Sequence, residues 1–178
     1  MAAPARLIRL GVTAALVSLV LDQITKVWAM SVMQDAGSFA LPLLPFLDIV
    51  SLWNRGISYG LFQQGDTGRW LLVGIKVVAV VVFSIWLTRA HRRLEAVALG
   101  LLIGGAIGNA VDRVIYGAVY DFISLHAFGY RWYVFNVADI AVVIGVVLLL
   151  IDAFRGGASK SPPSDSEMES TPETERKP

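Results

Sequence analysis

Residues 104–122 read GGAIGNAVDRVIYGAVYDF. The run sits in a chain that is 56% hydrophobic, yet it places Asn109, Asp112, Arg113 and Asp121 close together. Gly100, Gly104 and Gly108 recur at every fourth position, so on a helix they form one stripe of small residues that lets a neighbouring helix approach closely. Asp112 continues that stripe. An apolar helix with a packing face that ends in charge points to a membrane bundle with a polar cluster at one end.

Composition agrees. Only 16% of the 178 residues are charged, below the roughly 25% typical of soluble domains, and mean hydropathy is +0.64. Four apolar stretches, about Ile8 to Met30, Trp70 to Thr88, Leu94 to Val111 and Val134 to Ile151, approach the ~20 helical residues needed to cross a hydrocarbon core. The first could also be a cleaved signal peptide, since Arg6 and Arg9 precede the uncharged run Leu10 to Leu21. Apolar residues continuing at helical spacing through Ile24, Val27 and Met30 favour a span. Arg6 and Arg9, the group Arg89, Arg92 and Arg93, and Arg155 with Lys160 fall on one side of a four-span chain, so both termini read as cytoplasmic. Arg55, Arg69, Arg113 and Arg131 would lie outside. Residues 1–155 read as one membrane domain and 156–178, rich in Gly, Ser, Pro and Glu, as a disordered cytoplasmic tail. A net charge of +1 without a basic block gives nucleic acid no surface, and the absence of Cys removes disulfides and thiolate chemistry.

Direction of travel then places the charges. Asp22 and Lys26 near the end of span one, Asp112 at the end of span three and Asp139 at the start of span four share the outer boundary, with Lys76 and Asp121 nearby. Asp22 with Lys26, Asn109 with Asp112 and Arg113, and Asn136 with Asp139 each form one polar face on an apolar helix. Charge at membrane depth is costly unless paired or wetted, so such an ensemble reads as functional. Between spans one and two, LDIVSLW and ISYGLF flank Asn54-Arg55-Gly56 and suggest a hairpin with a structural turn there.

The two histidines, His91 and His126, fall on opposite sides, which excludes a histidine metal site, and no spacing selects a Ser/Lys pair. Paired carboxylates are what the chain supplies. Two close Asp hold one proton between them; the charged member draws a proton from water while the other donates to a carbonyl. Charge alone does not choose among Asp22, Asp112, Asp121 and Asp139. Asp112 beside Arg113, and Asp22 one turn from Lys26, look neutralised, which leaves Asp121 and Asp139 less obviously partnered. Proton-coupled transport and a non-enzymatic scaffold are the competing classes. A transporter, however, should carry polar groups on to the inner leaflet, where spans two and four are almost purely apolar.

Five ordered motifs, DQITK (22–26), NRGISYG (54–60), GGAIGNAVDR (104–113), VYDF (119–122) and FNVAD (135–139), closely resemble the lipoprotein signal peptidase, or type II signal peptidase, family. The resemblance covers about residues 8 to 154. It implies an aspartic endopeptidase of the bacterial inner membrane, active near the outer face. Such an enzyme removes the signal peptide from diacylglyceryl-modified prolipoproteins just before the lipidated cysteine, without metal or cofactor. Asp121 and Asp139 match the family's catalytic aspartates. Asp22, Lys26, Asn54, Gly56, Asn109, Asp112, Arg113 and Asn136 match supporting or substrate-contacting positions. The implied fold is an all-α polytopic membrane protein, four spans carrying a small β-cradle and a short outer helix. A monomer, with membrane lipid and prolipoprotein as partners, is expected. Tyr59 stands where the family usually has Phe, and leaves the catalytic assignment intact.

Overall fold

The computed structural model describes residues 4–56 and 65–157. The run ISYGLF, Tyr59 within it and nearly all of the expected tail lie outside the described residues.

Four helices are long and apolar enough to cross a membrane, as expected; the first and third extend past both ends of their apolar runs, whereas the second stops at Leu87, one residue short, and the fourth starts at Val137 rather than Val134. Helix α1 (Ala5–Ala36) follows Pro4 and stops at Gly37, whose left-handed φ of 58° favours a residue without Cβ. Helices α2 (Gly65–Leu87) and α3 (Arg93–Tyr116) are joined by a tight turn that Glu95 closes. Its carboxylate accepts from the Trp86 indole and the His91 N–H, both at 2.8 Å. Gly117, at φ 77°, ends α3. Helix α4 (Val137–Gly157) completes the bundle.

Helix α3 is the most buried of the four and packs against the other three. The glycine stripe explains how. A Cβ at Gly100 would strike the Gly11 carbonyl of α1, one at Gly104 the Ser18 hydroxyl and Ala15 carbonyl, and one at Gly108 the Asp22 carboxylate. Gly105, on the adjoining face, gives the same close approach to Ala138 of α4. Leu7, Leu87, Ala96, Leu99 and Ile103 fill the core at the opposite end.

A four-stranded antiparallel sheet, β1 (Ala40–Leu44), β2 (Leu47–Asn54), β3 (Val119–Ala127) and β4 (Tyr130–Phe135), is ordered as in sequence. This is the small cradle that was expected. Residues 114–133 form the end of α3, β3 and most of β4, and no short fifth helix occurs among the described residues. LDIVSLW is a strand as expected, paired with β1 through a hairpin closed at Pro45-Phe46 and with β3 on its other edge. The second arm of the hairpin expected at Asn54-Gly56 lies outside the described residues. Tyr120 and Phe122 pack under the sheet on Ala29 and Met33 of α1. With a period of two, Val119 and Asp121 face the other way.

Candidate active site

That other face roofs a chamber of about 690 Å³, within the range of ligand sites. Its floor is formed by the ends of α2, α3 and α4 nearest the sheet. Asp121 and Asp139 both line it, together with Asn54, Lys76, Asn109 and Arg113.

Asp139 is placed by a local device. Asn136 precedes α4, and its Oδ1 accepts from the Asp139 N–H at 3.0 Å, while Asp139 Oδ2 accepts from the Asn136 N–H at 3.3 Å. This is a reciprocal capping box, written in the sequence as NVAD, and it puts a carboxylate at the favourable end of the helix dipole. The Ala138 N–H is satisfied by Asp22 Oδ1 at 2.8 Å. The free side of Asp139, Oδ1, accepts from Asn109 Nδ2 at 2.8 Å.

Asp121 is held from two sides. Asn136 Nδ2 donates to its Oδ1 at 2.6 Å and Asn54 Nδ2 to its Oδ2 at 3.0 Å. Asn54 lies opposite Val119 in the β2–β3 register, so it reaches Asp121 diagonally on the same face. Its Oδ1 accepts from the Gly56 N–H at 3.2 Å, a turn stabilised by its own side chain. The turn and the site contact therefore coexist in Asn54. Burial pushes the Asp121 carboxyl up to about 6; the Asn54 amide opposes this, Asp139 adds to it, and Asn136 and Lys26 oppose it. Asp121 is 1% exposed and Asp139 half-buried.

Behind the chamber lies a fully buried ion cluster. Lys26 Nζ stands 2.8 Å from Asp22 and 2.7 Å from Asp112, and donates to Asn109 Oδ1 at 3.2 Å. Asp112 also accepts from the Tyr120 N–H at 3.2 Å, which ties the start of β3 to α3 one residue before Asp121. The expected neutralisation of Asp112 by Arg113 is corrected here. Consecutive helical residues do not face each other, and Arg113 donates instead to the carbonyls of Asn54 at 3.4 Å and Gly56 at 3.3 Å.

All ten residues singled out in the sequence thus gather at one end of the bundle: two carboxylates in the chamber wall, eight others holding them or the backbone around them. Gln23 and Tyr133 were missed. Gln23 Nε2 bridges Asp22 and Asp112, both at 3.1 Å, and Tyr133 shares the Asn54 amide at 3.2 Å. Strand alternation two residues before Phe135 was the available signal for Tyr133; Gln23 had none. Lys76, noted as nearby but assigned no role, lines the chamber. No group of acids and histidines suited to a metal occurs among the described residues.

Fold and site together define a class, a polytopic membrane protein with a carboxylate-lined chamber at one end of its bundle. The chain matches the family model described as "Signal peptidase (SPase) II" over residues 14–155. It is 52% identical over 158 residues to a lipoprotein signal peptidase of Methylorubrum extorquens, covering 88% of this chain and 92% of the relative. It is 52% identical over 161 residues to one of Rhodopseudomonas palustris, covering 87% and 98%. A bacterial membrane enzyme solved by the in meso method superposes with a TM-score of 0.72 at 28% identity, covering 86% of this chain and 93% of that one. The chain belongs to the signal peptidase II family, and is accordingly a peptidase of the bacterial inner membrane.

Proposed function

We propose that this protein cleaves the signal peptide from diacylglyceryl-modified prolipoproteins, just before the lipidated cysteine, by an aspartic mechanism in which Asp121 and Asp139 share one proton. The observation that carries this reading is the wiring of the two carboxylates. Both line one chamber, on separate elements, and among the described residues every donor on their oxygens is an amide rather than a cation. Among those residues neither is in an ion pair, unlike Asp22 and Asp112.

With Asp139 charged and Asp121 protonated, Asp139 takes a proton from water as the water oxygen bonds to the scissile carbonyl carbon. Asp121 gives its proton to the carbonyl oxygen. The protons then return: Asp121 takes one back from a hydroxyl of the tetrahedral species, Asp139 protonates the departing amine, and the C–N bond breaks. Each aspartate ends as it began. Arg113, fixed on the carbonyls of Asn54 and Gly56, holds the chamber rim, and Asn109 with Asn136 keeps the carboxylates in place.

The family relatives are named lipoprotein signal peptidases, which supports this substrate class. A lipidated signal peptide is a membrane helix, so its scissile bond must be met at the boundary of the hydrocarbon. We place the chamber at the outer face, both termini in the cytoplasm, residues 156–178 outside the peptidase domain, and the active unit as a monomer. Proton-coupled transport is less well supported. Between the chamber groups and Arg9, Arg89, Glu95 and Asp152 at the other end, no ionisable residue occurs in any span.

The test is cleavage of a diacylglyceryl-modified prolipoprotein by purified protein in detergent. Wild type cuts, while Asp121→Asn and Asp139→Asn, folded by circular dichroism, lose at least about a thousandfold in rate because each removes one half of the acid–base pair. Activity retained in either variant would falsify the dyad.

A further inference from the structure

We propose that the Tyr133 hydroxyl is a catalytic donor: held on the same amide as Asp121, it hydrogen-bonds the oxygen of the scissile carbonyl and stabilises the charge that gathers there as water adds. This rests on the aspartic mechanism proposed above and adds a third group to it.

Strand β4 brings Tyr133 to the chamber. Phe135, two residues on, lines the chamber, and with a period of two Tyr133 shares that face. Between Arg131 and Val134, β4 carries one residue more than β3 does between Ser124 and His126, a bulge that lets the neighbouring Trp132 line the chamber as well. Tyr133 is 49% exposed on that wall, so a substrate can reach it.

The bonding around Asn54 fixes which way the hydroxyl works. Asn54 Oδ1 accepts from the Gly56 N–H, so its Nδ2 is the atom that serves Asp121 Oδ2, at 3.0 Å, and the Tyr133 hydroxyl, at 3.2 Å. An amide nitrogen only donates. The phenol oxygen therefore accepts there, and its own hydrogen is left over. Among the described residues that hydrogen has no acceptor. Because Asp121 Oδ2 and the hydroxyl touch one nitrogen, they lie no more than about 6 Å apart, and a carbonyl oxygen between them can be within hydrogen-bond distance of both.

The other donors near the carboxylates are committed. Asn136 Nδ2 serves Asn109 and Asp121, Asn109 Nδ2 serves Asp139, and Arg113 sits on two backbone carbonyls. Lys76 and Trp132 also line the chamber, but among the described residues no hydrogen bond ties either to Asp121 or to the amides that hold it. Tyr133 is thus the donor whose place is fixed relative to the acid. As Asp121 gives its proton to the carbonyl oxygen, the Tyr133 hydrogen bond tightens on that same oxygen; the phenol keeps its proton, so no further transfer is needed. A fixed donor aimed where charge develops acts on kcat rather than on substrate binding.

The experiment compares kcat and KM on the same prolipoprotein for wild type, Tyr133→Phe, and protein with 3-fluorotyrosine installed at position 133, assayed where the phenol stays protonated. Fluorination makes the hydroxyl a stronger donor and a weaker acceptor, so the two roles of Tyr133 respond with opposite sign. Tyr133→Phe lowers kcat by about tenfold to a hundredfold with KM little changed, less than the loss of a sole oxyanion donor because Asp121 serves the same oxygen. The fluorinated protein cleaves at least as fast as wild type. It keeps the ring and the hydroxyl, and so decides the matter even where Tyr133→Phe folds poorly. A fluorinated protein slower than wild type would mean that Tyr133 acts only as the acceptor that orients Asn54, and overturns the donor role. So does a folded Tyr133→Phe with wild-type kcat, or one whose loss falls on KM alone. Wild type that cleaves nothing would overturn the parent reading, a separate result from variants that cleave as wild type does.

Discussion

Two asparagines set the orientation of the carboxylates, and a lysine sets the asparagines. Lys26 can only donate, so the Asn109 oxygen turns toward it and the Asn109 amide nitrogen must face Asp139. Asn136 Nδ2 then serves Asn109 Oδ1 at 3.1 Å and Asp121 Oδ1. Substitutions at Asp112 and Asp121 should consequently behave differently. Asp112→Asn leaves Lys26 with one fewer counter-charge in a buried site, costing about 3 kcal/mol, and melts lower across the pH range. Asp121 behaves otherwise, because its carboxyl is pushed up to about 6 from the usual 3.8. The folded state keeps a proton that the unfolded chain has released. This group's contribution to stability is full below about pH 4 and is lost as pH rises through about 6. Between about pH 5 and 7 the wild-type melting temperature should fall relative to Asp121→Asn, which has nothing there to ionise. Parallel melting curves would contradict the raised value. Most of these residues were legible as polar faces at helical spacing. Gln23 was not, because nothing local distinguishes a bridging amide from a solvated one.

At the scale of elements, the glycine stripe and the capping box carry the assembly. Gly104→Ala would drive a Cβ into the α1 backbone, where no rotamer change relieves it, and should cost about 2 kcal/mol with loss of α1–α3 packing. Gly74 on α2 meets nothing within 4 Å, so Gly74→Ala should be neutral or add up to about 1 kcal/mol through helix propensity. Thermal melts in detergent separate the two, and equal losses would show that the stripe does not pack α1 on α3. The stripe was readable because it is a local periodicity, whereas Asn136 and Asp139 were read as one face of a helix and the structure makes Asn136 the cap that precedes it. The pairing of β2 with β3 was not readable for the complementary reason: β3 lies beyond two intervening helices.

For the whole molecule, the outcome is a bundle with its polar chemistry at one end and arginines at the other. The chain has no cysteine, so single substitutions report sidedness directly. Ser38, exposed beside the sheet, and Arg89, exposed in the α2–α3 turn, mark the two ends. In intact spheroplasts a membrane-impermeant thiol reagent should label Ser38→Cys and spare Arg89→Cys. The reverse pattern would turn the proposed orientation over and move the chamber to the cytoplasmic face.

The sequence by itself determined the spans, the polar faces of the first, third and fourth helices and the close-packing stripe, because each depends on residues within a turn or two of one another. Tertiary structure alone decided that Lys26 rather than Arg113 neutralises Asp112, that Asn54 reaches Asp121 while closing its own turn, and that Lys76 faces the chamber. Those outcomes depend on distances between α1, α2, α3 and the sheet, which packing sets and spacing along the chain does not encode.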